Sequence, residues 1–451
     1  MSAPTVVLGL GATGRSVSRA LVRHGHDVIV VDDSLTDEKQ AFATEHGLEL
    51  RGTLDPQGWQ VLLAEAGAFV PSPGVPDSHP AIAAAALTDL AVQSEFDLAA
   101  RWDERDVVAI TGTDGKTTVT TMTVDMLNAS GRKTIDVGNT DTPLVEAIGD
   151  TTYDLFVVEA SSFRLGYSAH FAPKVGTWLN LSPDHLDKHS SLSAYEAAKA
   201  SIWAHLPPDG LAVANAESEV VMRHVRSDRP VETFGLHSGT HKVLDGALTL
   251  HGEHLLHVDE LWRTMPHDQT NALAAAATAL AGGATIEGIR SALLAFRGLP
   301  HRVELVGSSD GVRWYNDSKA TTTHAVNAAI SGFESVVLIA GGRNKGLDLN
   351  PLRDHVDRVA GVVAIGEAAE EIVATFSEHV PVVVAASMQS AVAEAAAMAN
   401  SAASGTHVLL SPACASFDMY SGYAERGRDF TAQVQALLSS DQLLQRKTDV
   451  D

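Results

Sequence analysis

The chain has 451 residues, 45% of them hydrophobic and 20% charged, enough apolar material for about three domain cores at roughly 150 residues each. Its 32 basic and 56 acidic residues give a formal charge of −24, which excludes a broad basic face for nucleic acid or anionic membrane. Any phosphate must therefore be gripped by backbone donors and a few chosen cations. A single cysteine, Cys414, excludes an internal disulfide and fits a reducing compartment. The N-terminus has no basic leader and no apolar run reaches about 18 residues, so a cytoplasmic protein with no membrane partner is expected. The charge balance argues against a nucleic-acid partner, and a monomer is expected.

Short apolar runs alternate with helical stretches, the pattern of an α/β chain with helix-covered parallel sheets. Val6-Val7-Leu8 runs into Gly9-x-Gly11-x-x-Gly14, and Val28-Ile29-Val30-Val31 ends at Asp32-Asp33. This resembles a dinucleotide fingerprint, although a tight strand-to-helix turn needs glycines whatever it binds. Pro71-Ser72-Pro73-Gly74-Val75-Pro76 reads as a loop. The polar stretch 101–106 marks a boundary before a fresh strand, Val107-Val108-Ala109-Ile110. Buried strands are expected at 155–158 and 175–179, then an alanine-rich helix beginning near Asn271 and stopped by Gly282-Gly283. After Arg302 the rhythm restarts with strands at 336–340, 362–365, 382–384 and 408–410. Three α/β domains follow, at 1–105, 106–302 and 303–451.

Gly112-Thr113-Asp114-Gly115-Lys116-Thr117-Thr118 follows the strand at 107–110 and opens a helix expected over 119–128. Glycines let the backbone wrap a phosphate, the helix N-terminus offers unpaired N–H groups, Lys116 supplies a point charge, and the Thr117 hydroxyl is placed for magnesium. Ile110 stands where the full Walker spacing has glycine, so this is a variant of that loop. Glu159 ends the strand at 155–158, on the edge where open parallel sheets bind ligands, and suits Mg²⁺. His185, in Asp184-His185-Leu186-Asp187, emerges beyond the next strand at the same edge and is a second candidate ligand. Ser193-Ala194-Tyr195-Glu196 is a capping-box pattern, and on the helix it starts Tyr195, Lys199, Ile202, Trp203 and Leu206 share a face. A lysine in an apolar stripe must snorkel, pair or lose its charge. The residues alone favour snorkelling, with conversion to a carbamate as the alternative.

Together these motifs resemble the Mur ligase family over essentially the whole chain. The likeness is carried by Gly112 to Thr118, Glu159-Ala160-Ser161-Ser162-Phe163, Asp184 to Asp187, Tyr195 to Lys199, Gly298-Leu299-Pro300-His301-Arg302, Asn316-Asp317-Ser318-Lys319-Ala320-Thr321 and Leu410 to Ser416. It implies a Rossmann-like first domain, a P-loop ATPase-like central domain and a Rossmann-like third. It further implies ATP-dependent addition of D-glutamate to UDP-N-acetylmuramoyl-L-alanine through an acyl phosphate, in peptidoglycan precursor synthesis. The first domain would then hold the UDP part, with Gly14 and Gly74. ATP would meet Gly112 to Thr118, Asn271, Arg302 and Asp317. One Mg²⁺ would fall to Thr117 and Glu159 and a second to His185 and carbamylated Lys199, with Lys116, His185 and Lys199 catalytic. Asn139 and Ser161 match positions near the alanyl group, and Lys319, Thr321, Lys345, Ser416, Phe417 and Tyr423 the amino-acid pocket. Three departures stand out: Asp114 where the family usually has Asn, Arg164 for a commoner Gln, and Asp33-Ser34 without a basic residue some members use near the uridine. Rival readings are a related Mur or folylpolyglutamate-type ligase with another acceptor, L-glutamate included, and a nicotinamide-dependent oxidoreductase using Gly9 to Gly14.

Overall fold

Because successive side chains of a strand face opposite ways, the unbroken short apolar runs give strands buried on both faces, and these organise three sheets. The computed structural model describes residues 3–88, 90–185, 188–309 and 311–448, with side chains as far as Ser439. The first sheet is parallel, in the order β3-β2-β1-β4, from β1 (Thr5–Leu8), β2 (Val28–Val31), β3 (Glu49–Arg51) and β4 (Ala68–Pro71). Val7, Val30 and Val70 pack to one side with Val17 and Leu21, while Val6, Leu8, Val31 and Phe69 pack to the other with Trp59 and Leu62.

The second sheet has the order β13-β12-β11-β10-β9-β8-β5-β7-β6. Its strands are β5 (Asp106–Thr111), β6 (Thr134–Gly138), β7 (Leu155–Glu159), β8 (Val175–Trp178), β9 (Leu211–Asn215), β10 (Val231–Phe234), β11 (His241–Leu244), β12 (Ala247–Leu250) and β13 (Glu253–His257). β5 lies between β7 and β8, and all three are parallel, so their carboxyl ends bring loop 112–115, Glu159 and the segment after Trp178 to one edge. β11 to β13 are an antiparallel extension turned by Asp245-Gly246 and His251-Gly252, all four at positive φ, as two-residue turns matched to strand twist require.

The third sheet, β14-β15-β19-β16-β17-β18, comprises β14 (Glu304–Ser309), β15 (Val312–Asn316), β16 (Val336–Gly341), β17 (Val359–Ile365), β18 (Val382–Ala385) and β19 (His407–Ala413). It is parallel except for the β14–β15 pair. The chain groups into two compact units: Met1–Leu261 with Gln269–Phe296, which carries the first two sheets, and Trp262–Asp268 with Arg297–Asp451, which carries the third. Among the described residues no helix is long and apolar enough to cross a membrane.

Several element boundaries differ from expectation. The helix carrying Lys199 is Leu192–Ala200, capped by Ser191, whose hydroxyl accepts from the Ala194 amide; Ser193 lies inside it. The alanine-rich helix is Pro266–Ala281, starting ahead of Asn271 because Pro266 suits a first helical turn. The helix after the glycine loop is Lys116–Ala129, so Lys116 and Thr117 lie in its first turn. Arg101 and Trp102 close the helix Glu95–Trp102, which narrows the polar break. Leu186 and Asp187 lie outside the described residues.

Candidate active site

Loop 112–115 is shaped to present backbone donors. Gly115 caps the helix Lys116–Ala129 at φ 83 with no side-chain hydrogen bond over the helix end. A Cβ there would sit 2.6 Å from Oδ1 of Asn271, so glycine is required by conformation and by close approach together. From below, Oδ1 of Asn180 accepts from the amides of Thr113 (2.9 Å) and Asp114 (3.0 Å). The Thr113 hydroxyl accepts from the Ser182 amide and meets the Tyr195 hydroxyl at 3.1 Å. Nζ of Lys116 donates to the carbonyls of Gly112 and Thr113.

Charged groups crowd this loop. Lys199 is 1% exposed, and its Nζ donates to the Gly112 carbonyl at 2.6 Å and lies 4.5 Å from the centre of the Tyr195 ring. The expected snorkelling does not occur: the helix ends at Ala200, Ile202 and Trp203 fall on the 3-10 turn Ser201–Trp203 that follows, and Tyr195, Lys199, Ile202 and Trp203 are all buried. Burial, then the nearby Lys116 charge, push the proton affinity of Lys199 far below the ordinary lysine range. Glu159 is 3% exposed. Its Oε1 accepts from Nδ2 of Asn139 at 2.8 Å, while its buried Oε2 has no hydrogen-bond partner among the described residues. That orphaned carboxylate oxygen fits a cation. Asp184, raised above the usual carboxylate range chiefly by burial, takes the His185 amide, and its Oδ2 lies 3.3 Å from Nε2 of His185. His185 also packs edge-on against Phe163, and it and Lys199 flank Tyr195. Thr117 and Thr118 complete the helix start.

In the second unit, carboxyl ends of β15, β16 and β19 gather the remaining candidates. Asp317 accepts from the Ser411 hydroxyl (2.7 Å) and the Val303 amide (3.2 Å), and burial pushes its carboxyl up to about 7 against the opposing pull of Ser411, Arg302 and Arg263. Nε of Arg302 is buried with no acceptor among the described residues. Nζ of Lys319 lies 5.2 Å from the Tyr423 ring centre and that of Lys345 5.7 Å from Phe417. Both rings are exposed, while Ser416 is buried and Thr321 partly so. A carboxyl raised on folding favours the fold fully below its unfolded value of 3.8 and withdraws that support as pH rises through about 7. Asp317→Asn removes this titration, so urea unfolding at pH 4 and pH 8 should show the variant gaining on wild type as pH rises. A pH-independent difference would contradict the raised carboxyl.

Comparison with known proteins bears on the whole chain. Residues 3–94 match the MurD-like N-terminal domain of Mur ligases, 110–279 the Mur ligase middle domain and 301–414 the Mur ligase glutamate ligase domain. The UDP-N-acetylmuramoylalanine–D-glutamate ligase of Frankia casuarinae is 41% identical over 448 residues, covering 96% of this chain and 94% of that protein. The chain belongs to the Mur ligase family. The same-named ligase of Nitrosococcus oceani is 37% identical, covering 97% of this chain and 98% of its own. Among solved structures, a pseudomurein peptide ligase type C from Methanothermus fervidus has a TM-score of 0.60 at 19% identity, covering 96% of this chain and 100% of its own. The MurF ligase of Thermotoga maritima, in complex with ADP, has a TM-score of 0.59 at 15% identity and 96% coverage of each chain. These two share the three-sheet α/β fold.

In this Mur ligase Arg164 links the glycine turn after β1 to the sheet edge that carries Glu159, beside other contacts such as Tyr167 to the Val75 carbonyl. Arg164 donates from Nε to Oε1 of buried Glu95, from Nη1 to Oδ1 of Asn139 and from Nη2 to the Thr13 hydroxyl, all at 3.0–3.1 Å. Asn139 passes the contact to Glu159, so the glycine turn and the orphaned carboxylate belong to one hydrogen-bonded chain. Thr13, Gly14, Ser72, Pro73, Phe163 and Arg164 line the pocket between them. Gly14 is obligatory there, since a Cβ would fall 1.9 Å from the Gly9 carbonyl oxygen. Gly74 offers its carbonyl to Nζ of Lys188, and Ser161 caps the short helix Ser162–Gly166. Asp32, the fingerprint acid, is already engaged by the Leu10 and Ser34 amides and by Nζ of Lys39, which puts a cation close to Asp33-Ser34 from seven residues along the chain. Glu95 is raised by burial, and Arg164 is its charge partner. Arg164→Met should therefore cost about 3–5 kcal/mol, because it strands a buried carboxylate. Glu95→Gln added to it should recover much of the loss, and urea midpoints of single and double variants test this.

Sequence reasoning missed Asn180, Arg164's bridging role and Arg426. Arg426 is 1% exposed and ties Ser318 to the Cys414 carbonyl, joining the loops after β15 and β19; burial brings its guanidinium down to about 10. Asn180 could have been suspected from its place just beyond β8, but nothing in the residues around Arg426 marks it.

Proposed function

We propose that this Mur ligase uses ATP to join D-glutamate to UDP-N-acetylmuramoyl-L-alanine in the cytoplasm, as a step of peptidoglycan precursor synthesis. The observation that carries the reading is the meeting of Lys116 and buried Lys199 on one carbonyl of the phosphate loop, in the field of Glu159. It is supported by full-length relatives named for that reaction, and nucleotide use accords with the neighbour solved with ADP. Residues 1–105 take the UDP part at Gly14 and Gly74, 106–302 take most of the ATP contacts, and 303–451 take glutamate, a partition that is part of the proposal.

A carboxylate resists attack by an amine until one of its oxygens becomes a good leaving group. In this reading loop 112–118 and Nζ of Lys116 hold the terminal phosphates, the donors being the amides from Gly115 onward because Asn180 takes those of Thr113 and Asp114, with Asn271, Arg302 and Asp317 about the nucleotide. The alanyl carboxylate oxygen, positioned near Asn139 and Ser161, attacks the γ-phosphorus; a P–O bond forms and the bond to ADP breaks. Lys319, Thr321, Lys345, Ser416, Phe417 and Tyr423 orient glutamate, whose neutral α-amine attacks the acyl carbon. The C–N bond forms, inorganic phosphate leaves, and the amine gives up a proton. Lys116 spreads charge at the transferring phosphoryl, since such catalysis is mostly positioning and electrostatics. Two Mg²⁺ ions, one on Thr117 and Glu159 and one on His185 and Lys199, would supply Lewis-acid charge neutralisation when bound. Lys199, held neutral, suits reaction with CO₂: its nitrogen bonds the carbon, a proton is released, and an anionic oxygen ligand replaces a cation.

The test is phosphate release with UDP-N-acetylmuramoyl-L-alanine and ATP, offering D-glutamate, L-glutamate, L-lysine, diaminopimelate or L-alanine. Release with D-glutamate is expected. Preference for another acceptor would reassign the amino-acid pocket, and release with none would overturn the ligase reading.

A further inference from the structure

On the far flank of the second sheet, beyond β8 and β9 from the phosphate loop, three side chains with metal-binding atoms meet. Glu232 lies on β10, His241 opens β11, and His251 sits in the turn between β12 and β13; the pairing of β10, β11 and β12 brings them together. We propose that Glu232, His241 and His251 bind a zinc-class divalent cation, at a site separate from the ligase chemistry.

The geometry is close to what such an ion needs. Nε2 of His241 lies 3.2 Å from Oε2 of Glu232, Nε2 of His251 lies 3.7 Å from Oε1, and one ligand atom from each residue falls within 4.8 Å of the others. Tetrahedral zinc with bonds near 2.0–2.1 Å sets its ligands about 3.3 Å apart, so only a small closure of the His251 turn is required. The two imidazole rings stand nearly perpendicular, centres 4.6 Å apart.

Burial supplies a second, independent observation. The His241 side chain is 1% exposed, yet among the described residues neither ring nitrogen, nor buried Oε2 of Glu232, has a well-aligned hydrogen bond, the 3.2 Å approach of Nε2 to Oε2 included. As a plain ion pair, then, the cluster leaves buried polar atoms unsatisfied, which native proteins avoid. A cation satisfies Nε2 of His241 and Oε2 of Glu232 at once. His251, with half its side chain exposed, leaves a path for entry and an open fourth position for water. Two imidazoles and one carboxylate select zinc and its borderline neighbours over magnesium, which prefers an all-oxygen octahedron. Bound there, the ion would staple the β12–β13 hairpin to β10.

The experiment is a Zn²⁺ titration of the tag-free, full-length protein against a chromophoric chelator, repeated with Co²⁺ to read the visible absorption of a tetrahedral site. His251→Asn is the informative variant, because asparagine is favoured at a left-handed turn position and the hairpin should keep its fold. Wild type should bind one Zn²⁺ equivalent that His251→Asn and Glu232→Gln each weaken at least about tenfold, with loss of the cobalt band. Glu159→Gln should leave that equivalent in place, which separates it from any zinc at the phosphate loop. Equal zinc binding by wild type and His251→Asn, or disappearance of the equivalent in Glu159→Gln, would overturn the site.

Discussion

Replacing Lys116 by alanine should lower ligation by about a thousandfold or more while leaving the fold intact, the range found when a charge-stabilising donor is removed from a transferring group. The partners of Lys116 are two carbonyls of its own loop, so its loss breaks no contact between elements. The amides of loop 112–115 keep their support from Asn180, and nucleotide binding should weaken less than turnover does. Single-turnover phosphate release, read beside thermal unfolding, separates the two effects. Turnover within threefold of wild type, in a folded variant, would falsify the placement of the γ-phosphate at Lys116.

Lys199→Met should be inactive yet more stable. The methionine keeps the stem that packs beside Tyr195 and removes an amine the fold can bury only by stripping its proton, which should gain about 1–4 kcal/mol near neutral pH. The sign with pH follows from the depressed proton affinity. Lysine in the unfolded chain titrates at 10.5, so above that value both states hold a neutral amine and the penalty vanishes. As pH falls below it, the unfolded chain gains a proton the native state resists, and wild type loses stability. The variant's advantage should therefore grow from pH 10.5 downward, measured by urea unfolding in CO₂-depleted buffer; an advantage that grows with rising pH would count against a buried neutral lysine. Activity addresses the carbamate. Lys199→Ala should lose about a hundredfold or more in rate and regain part of it with a small carboxylic acid, which can occupy the vacated space. No rescue by any short acid, together with full wild-type activity in CO₂-free buffer, would remove the carbamate from the proposal.

Much of the phosphate loop was legible because its chemistry is contiguous. Glycines, a lysine and three threonines within seven residues, between a strand and a helix, can be read in one pass, and Gly115 shows why the glycine is needed: its φ is 83 and a Cβ there would strike Asn271. Glu159 was legible for a related reason, since a run of buried aliphatics ending in an acid places that acid at a strand's carboxyl end. The Asp245-Gly246 hairpin was readable too, because that dipeptide signals a tight turn, yet the strands from Leu211 to His257 were left out of the expected sheet. Of the expected helical stripe only Tyr195 and Lys199 share a helix, which ends at Ala200; Ile202, Trp203 and Leu206 are buried beyond it. Whether its lysine would snorkel or sink was not decidable from spacing, because the answer lies in the Gly112 carbonyl, distant in the chain and waiting beneath it.

By itself the sequence determined the α/β class, the strand-ending acids and glycine turns, and a family resemblance that its relatives bear out, all of which rest on patterns local in the chain. Tertiary structure decided which distant groups share one desolvated space: Asn180 beneath the phosphate loop, Arg164 joining Thr13, Glu95 and Asn139, Arg426 binding two loops, and Glu232 facing two histidines across a sheet edge. The reason is that charge and hydrogen bonding in a protein are set by what surrounds a group after water has been removed, and strand register and sheet order choose those surroundings.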